Sequence, residues 1–589
     1  MSLRTLGAGA PLIVAALAAV AAFQDAQTTA VYASPVSSAL DLVYRCDELA
    51  RPFLALLAVV TGAVALWNVN RPVRENALIA TFAACMGGVL LARSVAAFAL
   101  SWELMALSSA VLVGTYHTIR SVRRALFSYV FVSQLGFVAI LGALALLGGA
   151  TGSYHFEAMA RSAPLLPASI RSWAVALALV GFGSKAGLVP LHFWLPRAHP
   201  AAPAGASALL SGVMLNIAIF GLLVVLLELA MPVPAHWGIV IVVLGIVSAV
   251  LGALFAAVES DLKRLLAYSS IENTGIVVMA IGIAIVARSA NVPAIAGLAI
   301  LAALFHALVH GFFKSLLFLG AGSVAHAAGT TDLEHLGGLA RLLPFTTIAF
   351  VAGAMAAVAL PPSGGFASEW LLFRAFICGI GAPAPILRYA SLAATAALAL
   401  AGGLGAVAFG KALGIGFLGA RRSTHTPQSE RFDARTASLA FLSVAVCIAG
   451  VLPMVVLRPL MHVASLLGAP PAQVGNIATL PVLVATLPVL GAIASVAVAK
   501  IRAIRTVPTW GCGSPIASRN QYTAAAFASP VRRVFGLATA EAGERDLARL
   551  AAAAVQRAAR RLRIVQSGLL RVYLVYAAAA VLAVLVLAK

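Results

Sequence analysis

The chain has 589 residues, of which 62% are hydrophobic and 10% are charged. This composition excludes a soluble globular protein, because too few polar residues remain to cover a surface that faces water. The 40 basic and 19 acidic residues give a net charge of +21. In a soluble protein this charge would suggest nucleic-acid binding, but in a membrane protein the distribution of basic residues among the loops indicates the orientation of the chain. We therefore predict an all-α, polytopic membrane protein built as one helical bundle.

Apolar stretches long enough to span a bilayer follow one another with short polar breaks, and about fifteen of them are predicted to cross the membrane. The predicted crossings are 6–23, 50–68, 77–93, 95–114, 126–149, 173–195, 206–231, 236–258, 264–287, 292–323, 345–361, 386–418, 437–458, 478–500 and 570–588. The segment 362–385 is apolar but does not fit as a separate crossing. The first stretch also fits a signal peptide ending at Ala21-Ala22, although a first spanning helix explains the same pattern.

The basic residues predict the orientation of the bundle. With the N-terminus in the cytoplasm, every strongly basic loop falls on the cytoplasmic side, as the positive-inside rule requires. These loops hold Arg71, Arg74, Arg120, Arg123, Arg124, Lys263, Arg264, Arg421, Arg422, Arg431, Arg435 and the basic block after Lys500. We predict a protein of the cell inner (plasma) membrane with a cytoplasmic N-terminus and with Lys589 outside.

The segment 531–566 differs from the crossings because it is rich in Ala and Arg and alternates charged with apolar positions. This pattern predicts an amphipathic helix that lies along the cytoplasmic interface. A solvated cytoplasmic helix or linker is the alternative. In either case the positive charge fits contact with anionic lipid headgroups or with acidic partner subunits.

Several ionisable residues fall inside predicted crossings. A charge in the hydrocarbon core costs about 2.5 to 3.5 kcal/mol on insertion scales, so each needs an interior partner or a water-filled cavity. The residues are Glu103, Lys185, Glu272, His306, His310, Lys314 and Lys411. They are too many for structural ion pairs alone, and such residues are typical of proton or ion pathways.

His306, His310 and Lys314 are spaced by four residues, which places them on one stripe of a helix. The stripe forms a ladder along the membrane normal with steps of about 6 Å. Water between the steps would let a proton pass from group to group. Two alternatives stay open: a metal-binding histidine pair, which has no third ligand nearby in sequence, and a structural hydrogen-bonded pair.

The cysteines give no sign of a metal centre, because none has the paired spacing that holds zinc, an iron–sulfur cluster or a nickel–iron centre. They are Cys46, Cys85, Cys378, Cys447 and Cys512. We expect no cofactor, no metal and no redox centre in this chain.

Helix breakers give a second signal of a transport site. Prolines at 190, 196, 200 and 203 follow Lys185, while Pro361-Pro362 and the glycine-rich string 402–405 precede Lys411. Paired interruptions in the two halves predict two inverted repeats with broken helices at the site. Unwound backbone at membrane depth is tolerated where it lines a polar cavity or is buried in protein.

At these positions the chain resembles the antiporter-like proton-pumping subunits shared by respiratory complex I, Mrp-type sodium/proton antiporters and membrane-bound nickel–iron hydrogenases. The resemblance covers roughly residues 75–420 and rests on WELMALSS (102–109), GSKAGLVPLHFWLPRAHPAAP (183–203), DLKRLLAYSSIENTG (261–275), HALVHGFFKSLLFLGAGSV (306–324) and DLEHLGGL (332–339). The strings LPPSGGFASEWLLF (360–373), TWGCG (509–513) and QYT (521–523) are most similar to the branch of hydrogenase-4 component B and formate hydrogenlyase subunit 3. Residues 24–49 depart from the family, because they are too polar for the extra N-terminal helix often seen there.

The resemblance implies roles for the ionisable residues. Glu103 matches the family's essential glutamate, and Lys185 matches the channel lysine that forms an ion pair with it. Lys263 matches the basic position that links the halves, and Lys411 matches the terminal lysine of the second half-channel. Drawing Glu103 toward another cation would weaken its pair with Lys185 and push the proton onward. The central stretch is matched by His306, His310 and Lys314, with Glu272, His192 and Glu369 as accessory residues.

The resemblance further implies a proton-translocating subunit of a hydrogenase-4 or formate hydrogenlyase-type complex, which couples redox energy from partner subunits to proton movement. We predict peripheral helices at 1–75, the proton-translocating core at 76–420, further peripheral helices at 421–510, and the amphipathic segment with a final anchor at 511–589. The expected partners are membrane and peripheral subunits of a hydrogenase-type or complex I-like assembly, the lipid bilayer, and protons or sodium, with no nucleic acid. The chain itself is then a pump subunit without catalysis of its own.

Two other classes stay open. A subunit of an Mrp-type antiporter, or of respiratory complex I, would share every channel residue. A structural membrane scaffold that has lost pumping is disfavoured by the complete set of ionisable residues.

Overall fold

The computed structural model describes residues 3–23, 29–419, 421–422, 429–466, 512–513 and 520–536. The chain divides into two compact units, Met1–Gly536 and Leu537–Lys589. All the elements below belong to the first unit, and the second lies outside the described residues. The predicted crossings at 478–500 and 570–588, and most of the predicted amphipathic segment 531–566, also lie outside them.

Helices make up most of the described chain. The α-helices are α1 Leu3–Phe23, α2 Ala50–Trp67, α3 Val73–Leu91, α4 Val95–Val113, α5 Arg120–Thr151, α6 Phe156–Ser162, α7 Ala168–Ala186, α8 Leu195–Ala201, α9 Ala204–Leu209, α10 Leu215–Val224, α11 Ala235–Val258, α12 Leu262–Ser289, α13 Pro293–Ala328, α14 Pro344–Ala357, α15 Gly364–Ile380, α16 Pro385–Lys411, α17 Ala434–Val451, α18 Pro453–Leu466 and α19 Ala524–Phe535. Short π-helical segments cover Leu210–Met214, Val225–Leu229 and Ala412–Leu418. Short 3-10 turns cover Ser38–Leu40, Ala163–Leu165, Leu191–Trp194 and Leu339–Arg341.

Eleven helical segments of the described chain are long and apolar enough to cross a membrane. This confirms the predicted polytopic helical membrane protein. The most apolar part of α12 is entirely buried in protein, whereas that of α17 is 39% buried. Because α12 is shielded on all sides and still carries polar residues, it forms the centre of the bundle, where a polar pathway is sheltered from lipid.

The polar segment after α1 forms a small hairpin. Strands β1 Thr29–Tyr32 and β2 Leu42–Arg45 pair antiparallel, with Thr29 opposite Arg45 and Tyr32 opposite Leu42. The prediction that this region holds no spanning helix is consistent with this structure. The all-α class therefore needs one amendment, a two-stranded sheet.

The segment 344–380 runs antiparallel to α13 as one crossing that is broken in the middle. Gly353 of α14 packs against Leu317, and farther along, in α15, Ser368 hydrogen-bonds His306 across 2.9 Å. The contacts move steadily toward the start of α13 as the chain proceeds. The stretch 362–385 therefore continues the crossing that α14 begins, consistent with the prediction that it is no separate crossing.

Two predicted boundaries are wrong. The glycine-rich string 402–405 does not break its helix, since α16 is continuous from Pro385 to Lys411 and becomes π-helical only afterwards. Gly405 instead allows a close approach, because a Cβ there would lie 3.0 Å from Glu272 Oε1. The predicted crossing 437–458 is split into α17 and α18 at Pro453, whose missing N–H cannot continue the helix.

Several basic connections meet at one end of the bundle. Leu262 N donates to Thr331 O and Leu333 N donates to Ser260 O, both across 2.9 Å. The Arg422 guanidinium also donates to the Leu333 carbonyl at 3.2 Å. The connections after α11, α13 and α16 therefore share one end, as the charge pattern predicts.

Candidate functional site

Lys185 lies in the last turn of α7, just before the chain turns at Gly187 with φ +80°. It is 2% exposed. Its Nζ donates to Tyr129 Oη at 2.7 Å and to Ser133 Oγ at 2.9 Å, both on α5. The carboxyl end of a helix favours a cation, so the break after α7 and the two hydroxyls together provide a polar environment for the Lys185 side chain.

Glu103 of α4 contacts helix α5, which also holds the hydroxyl groups that bind Lys185, but Glu103 does not contact Lys185 directly. Its Oε1 accepts a 2.6 Å hydrogen bond from Gln134 Nε2, which is the residue next to Ser133. Among the contacts of the described residues no Glu103–Lys185 ion pair occurs, so the expected direct pair is corrected to an arrangement in which both groups bind adjacent positions of α5. Helix α5 contributes polar side chains that sequence reasoning passed over, because Tyr129, Ser133 and Gln134 are uncharged.

His306 joins three helices in the centre of the bundle. One ring nitrogen is 2.9 Å from Ser368 Oγ on α15, and the other is 3.1 Å from Asn273 Oδ1 on α12. Neither polar partner was singled out in the sequence. The imidazole is fully buried, and a neutral ring with a partner at each nitrogen can take up a proton on one side and release it on the other.

Lys314 and two carboxylates lie beside the histidines. Lys314 is fully buried and interacts electrostatically with Glu272 of α12. Glu272 accepts a 2.9 Å hydrogen bond from Ser269 Oγ and has Glu369 of α15 as a like-charged neighbour. The sequence pattern assigns both glutamates an accessory place, yet the fold brings them to the centre.

His199 is a further buried titratable residue that sequence reasoning missed. Its ring stacks on Phe318 of α13 at 4.4 Å, and its charged neighbours are Lys263 and Lys314. Lys263 Nζ in turn donates to Ala202 O at 3.0 Å. His199 lies within the motif at 183–203, but the predicted crossing ends at 195, so His199 falls in a predicted loop. In the structure α8 continues the span and carries His199 inward.

His192 lies in the short turn Leu191–Trp194 between α7 and α8 and is buried. The neighbouring Trp194 fixes this turn by donating from Nε1 to Ser184 O at 2.8 Å. His192 therefore belongs to the helix break that follows Lys185.

Lys411 is the last residue of α16, and its fully buried side chain reaches the carboxyl end of α11. Its Nζ donates to the carbonyls of Ala257 at 2.6 Å, Glu259 at 2.5 Å and Ala256 at 3.3 Å. Unpaired carbonyls at a helix end attract a cation. Lys411 thus lies next to the connection that begins with Glu259, at the end of the bundle where the basic connections meet.

Several buried polar atoms of this centre have no hydrogen-bond partner within the described part of the chain. They are both ring nitrogens of His199, Nε2 of His310 and Nζ of Lys314. Buried polar groups are normally satisfied by protein or by ordered water. The set therefore favours a hydrated path past Lys314. No group of three or more His, Cys, Asp or Glu side chains that could hold a metal occurs in the described ranges.

The arrangement consists of three buried groups. The first is Lys185 with its α5 hydroxyls, and the last is Lys411 at the end of α11. The central group contains the three predicted residues of α13 together with residues from α8, α12 and α15. Titratable side chains in such an arrangement, with gaps that water can fill, can hold and pass protons.

Known proteins are similar to this chain in sequence and in fold. The family described as NADH:quinone oxidoreductase/Mrp antiporter, TM, matches residues 92–381. An uncharacterized protein of Mycobacterium tuberculosis (strain CDC 1551 / Oshkosh) is 38% identical over 597 residues, which cover 92% of both chains. Hydrogenase-4 component B of Escherichia coli (strain K12) is 38% identical over 448 residues, covering 74% of this chain and 66% of that protein.

The fold also matches a solved structure, a chain of the membrane-bound sulfane sulfur reductase, an archaeal respiratory membrane complex. The TM-score is 0.76 at 24% identity, over 99% of this chain and 100% of that one. The likeness confirms the helical membrane fold. The resemblance inferred from the motifs is confirmed by the family match and by the hydrogenase-4 relative.

Proposed function

The chain belongs to the NADH:quinone oxidoreductase/Mrp antiporter transmembrane family, and from this premise we propose that it moves protons across the membrane as a subunit of a hydrogenase-type oxidoreductase complex. It is an antiporter-like membrane subunit, and its relatives include a hydrogenase component. The redox energy would come from partner subunits. The complex would lie in the cell inner (plasma) membrane, with the N-terminus of this chain in the cytoplasm.

One observation carries the proposal: three lysines are buried in three separate spanning segments, and each has a different polar setting. Lys185 is held by two hydroxyls, Lys314 faces Glu272, and Lys411 binds helix-end carbonyls. Burying a charge is costly, and a scaffold has no need to do so three times. A proton pathway requires buried lysines, because each one serves as a proton-binding site along the path.

The proton would pass from Lys185 through the centre to Lys411. Glu103 would act on Lys185 through helix α5, since its hydrogen-bond partner Gln134 adjoins Ser133, which binds Lys185 Nζ. A movement of Glu103 would displace Gln134 and the adjacent part of α5, and this would weaken the hydrogen bonds that Lys185 donates to α5. The released proton would then move to Lys314 and the histidines, with Lys263 beside the central group.

Hydrogenase-type membership is supported by the string LPPSGGFASEWLLF at 360–373 and by the tail strings at 509–513 and 521–523. The identity to hydrogenase-4 component B extends over 448 residues. A subunit of an Mrp-type antiporter or of respiratory complex I is the alternative, because the name of the matching family includes both.

Affinity purification from membranes in mild detergent, followed by mass spectrometry, tests the assignment. We expect a nickel–iron hydrogenase large subunit and iron–sulfur partners to co-purify with this chain. A matched purification of an unrelated polytopic protein from the same membranes sets the background. Recovery of small Mrp-type subunits alone, or of no partner above background, would contradict the hydrogenase assignment and favour the antiporter.

A further inference from the structure

Four arginines line one open cavity where the start of α5 meets the break between α7 and α8. The cavity has a volume of about 580 Å³. Its lining contains Arg120, Arg123, Arg124 and Arg197 with three phenylalanines and a serine, and no acidic side chain. Unlike the three buried groups, this cluster has no place in the proton path.

We place the cavity at the boundary between lipid headgroups and acyl chains, because the arginines at the start of α5 are followed along the helix by exposed phenylalanines. Helix α5 has 32 residues and is therefore about 48 Å long, while the hydrocarbon core is about 30 Å thick. Its first turns, which hold three of the arginines, extend beyond the hydrocarbon. Phe127 and Phe131 continue the same face inward; their rings stack at 6.4 Å and are 74% and 56% exposed.

We propose that this cavity binds a phospholipid with an anionic, doubly charged headgroup. The guanidiniums match phosphate in charge and in hydrogen-bonding geometry, and the exposed Phe127–Phe131 face matches acyl chains. Arg123 is fixed by its hydrogen bonds to the carbonyls of His117 and Thr118, so the first turn is shaped before any ligand arrives. A free phosphate would use the arginines but leave the phenylalanine face uncovered.

Native mass spectrometry of the complex in detergent tests this site. The probes are diphosphatidylglycerol, phosphatidylethanolamine and inorganic phosphate. We expect retention of the dianionic lipid, and a loss of about tenfold or more in its retention in the double variant Arg120→Gln/Arg124→Gln, since each basic residue near an anionic surface contributes substantially to binding. The control double variant Arg74→Gln/Arg161→Gln removes the same charge at exposed positions outside the cavity and should retain the lipid.

Each other outcome contradicts the proposal. Equal retention in both double variants would show that the lipid binds elsewhere. Equal retention of phosphatidylethanolamine would show that charge does not matter, and displacement of the lipid by millimolar phosphate would identify a free anion site. If an acidic protein subunit protects Arg120 and Arg124 from a chemical modifying reagent after the lipid has been removed, the cavity would be assigned to a protein partner.

A second inference comes from a different place, the carboxyl end of α11. Two cations share this helix end: Lys411 binds the carbonyls on either side of Val258, and Arg532 of α19 donates to Val258 O at 3.1 Å. The other charged neighbours of Lys411 are Glu259 and Glu334. Glu259 is itself paired with Arg264 at 3.1 Å.

One hydrogen bond caps helix α19 itself, and two further contacts fix the start of the helix to neighbouring segments. Thr523 Oγ1 accepts from Ala526 N at 3.0 Å as the N-cap, and Glu334 Oε1 accepts from Ala525 N at 2.7 Å. The Arg422 guanidinium donates to Tyr522 O at 2.5 Å. The string QYT thus supplies the cap of a helix that covers Lys411, which gives this motif a structural role.

On the basis of the proposed function, we infer that Arg532 is a positioning residue that holds α19 over Lys411 and controls the access of Lys411 to the aqueous phase at this end of the bundle. Under this inference, Lys411 exchanges a proton with the aqueous phase only when Arg532 leaves the end of α11. A guanidinium group does not exchange its proton in proteins, so an arginine can hold the helix without competing for the transferred proton.

Thiol labelling of Lys411→Cys in the full-length chain, in its complex and with the five native cysteines replaced, tests this inference without any need for pumping. We expect slow labelling by a water-soluble maleimide, and labelling at least about fivefold faster when Arg532→Gln is added, because local opening sets access to a buried group. Arg532→Lys should restore slow labelling. Arg533→Gln removes the neighbouring exposed arginine and should leave the rate unchanged.

Fast labelling with α19 intact, or equal rates with and without Arg532→Gln, would overturn the inference. Glu334→Ala removes the acceptor of the Ala525 N–H at the other end of the same helix, so it replaces Arg532→Gln if that variant is poorly folded, and it should also accelerate labelling. Because labelling needs no redox partner or proton gradient, a negative pumping result leaves this test unaffected.

Discussion

Replacing Lys185 with alanine is expected to reduce proton translocation to background, a loss of about a hundredfold, since a positioned proton-transfer group contributes on that scale. Tyr129 and Ser133 would remain, but a hydroxyl group cannot take the place of an ammonium group as a proton carrier. Assembly should be normal, because the substitution removes the cost of burying a charge along with the two hydrogen bonds. The measurement is proton uptake by vesicles containing the complex, alongside the yield of assembled complex.

Lys185→Arg separates charge from proton exchange. An arginine keeps the positive charge but does not release its proton in proteins, so we expect assembly with little or no translocation. Arg161→Ala removes an exposed basic residue of α6 and serves as the control with wild-type translocation. Unchanged pumping in Lys185→Ala with normal assembly would remove the central role of this lysine and favour a structural scaffold.

The spanning helices could be predicted because the membrane imposes a simple rule, a run of apolar residues as long as the bilayer is thick. Their centres agree with the structure for the segments from α2 to α13, whereas ends set by breaks do not. The predicted end at 195 ignored α8, where a short helix continues the crossing. Single prolines did not predict this continuation, since proline is tolerated in the first turn of a new helix.

The candidate residues of the site could be predicted because charge at membrane depth is rare, whereas their partners could not. Tyr129, Ser133 and Gln134 look like ordinary helix residues, and only the packing of α5 against α4 and α7 reveals their contacts. Glu272 stands out in the sequence as a charge at membrane depth, but its neighbours Lys314 and Glu369 on other helices become known only from the fold. The glycines of α16 also mark a helix contact that the sequence analysis did not predict, because Gly405 lies where α16 approaches Glu272.

Helices α11 and α12 approach each other through glycines spaced by seven residues, and this packing positions the central site. A Cβ on Gly275 would lie 2.4 Å from Ala249 N, and one on Gly252 would lie 2.4 Å from the backbone nitrogen of Glu272. These neighbours are backbone atoms, so they cannot move aside as a side chain could. Small residues at such an interface allow the close contact that drives helix association in membranes.

Gly275→Leu is therefore expected to destabilise the protein by about 3 kcal/mol or more, at or above the usual cost of overpacking a core. The leucine would force α12 away from α11 one turn beyond Glu272, which would also displace the central group. The measurement is the midpoint of thermal or detergent-induced unfolding of the purified protein. Gly403→Leu is the matched control, since a Cβ there meets nothing within 4 Å. An unfolding midpoint equal for the two variants would show that α11 and α12 are not held together by this glycine contact, and that the position of Glu272 is fixed by other helices.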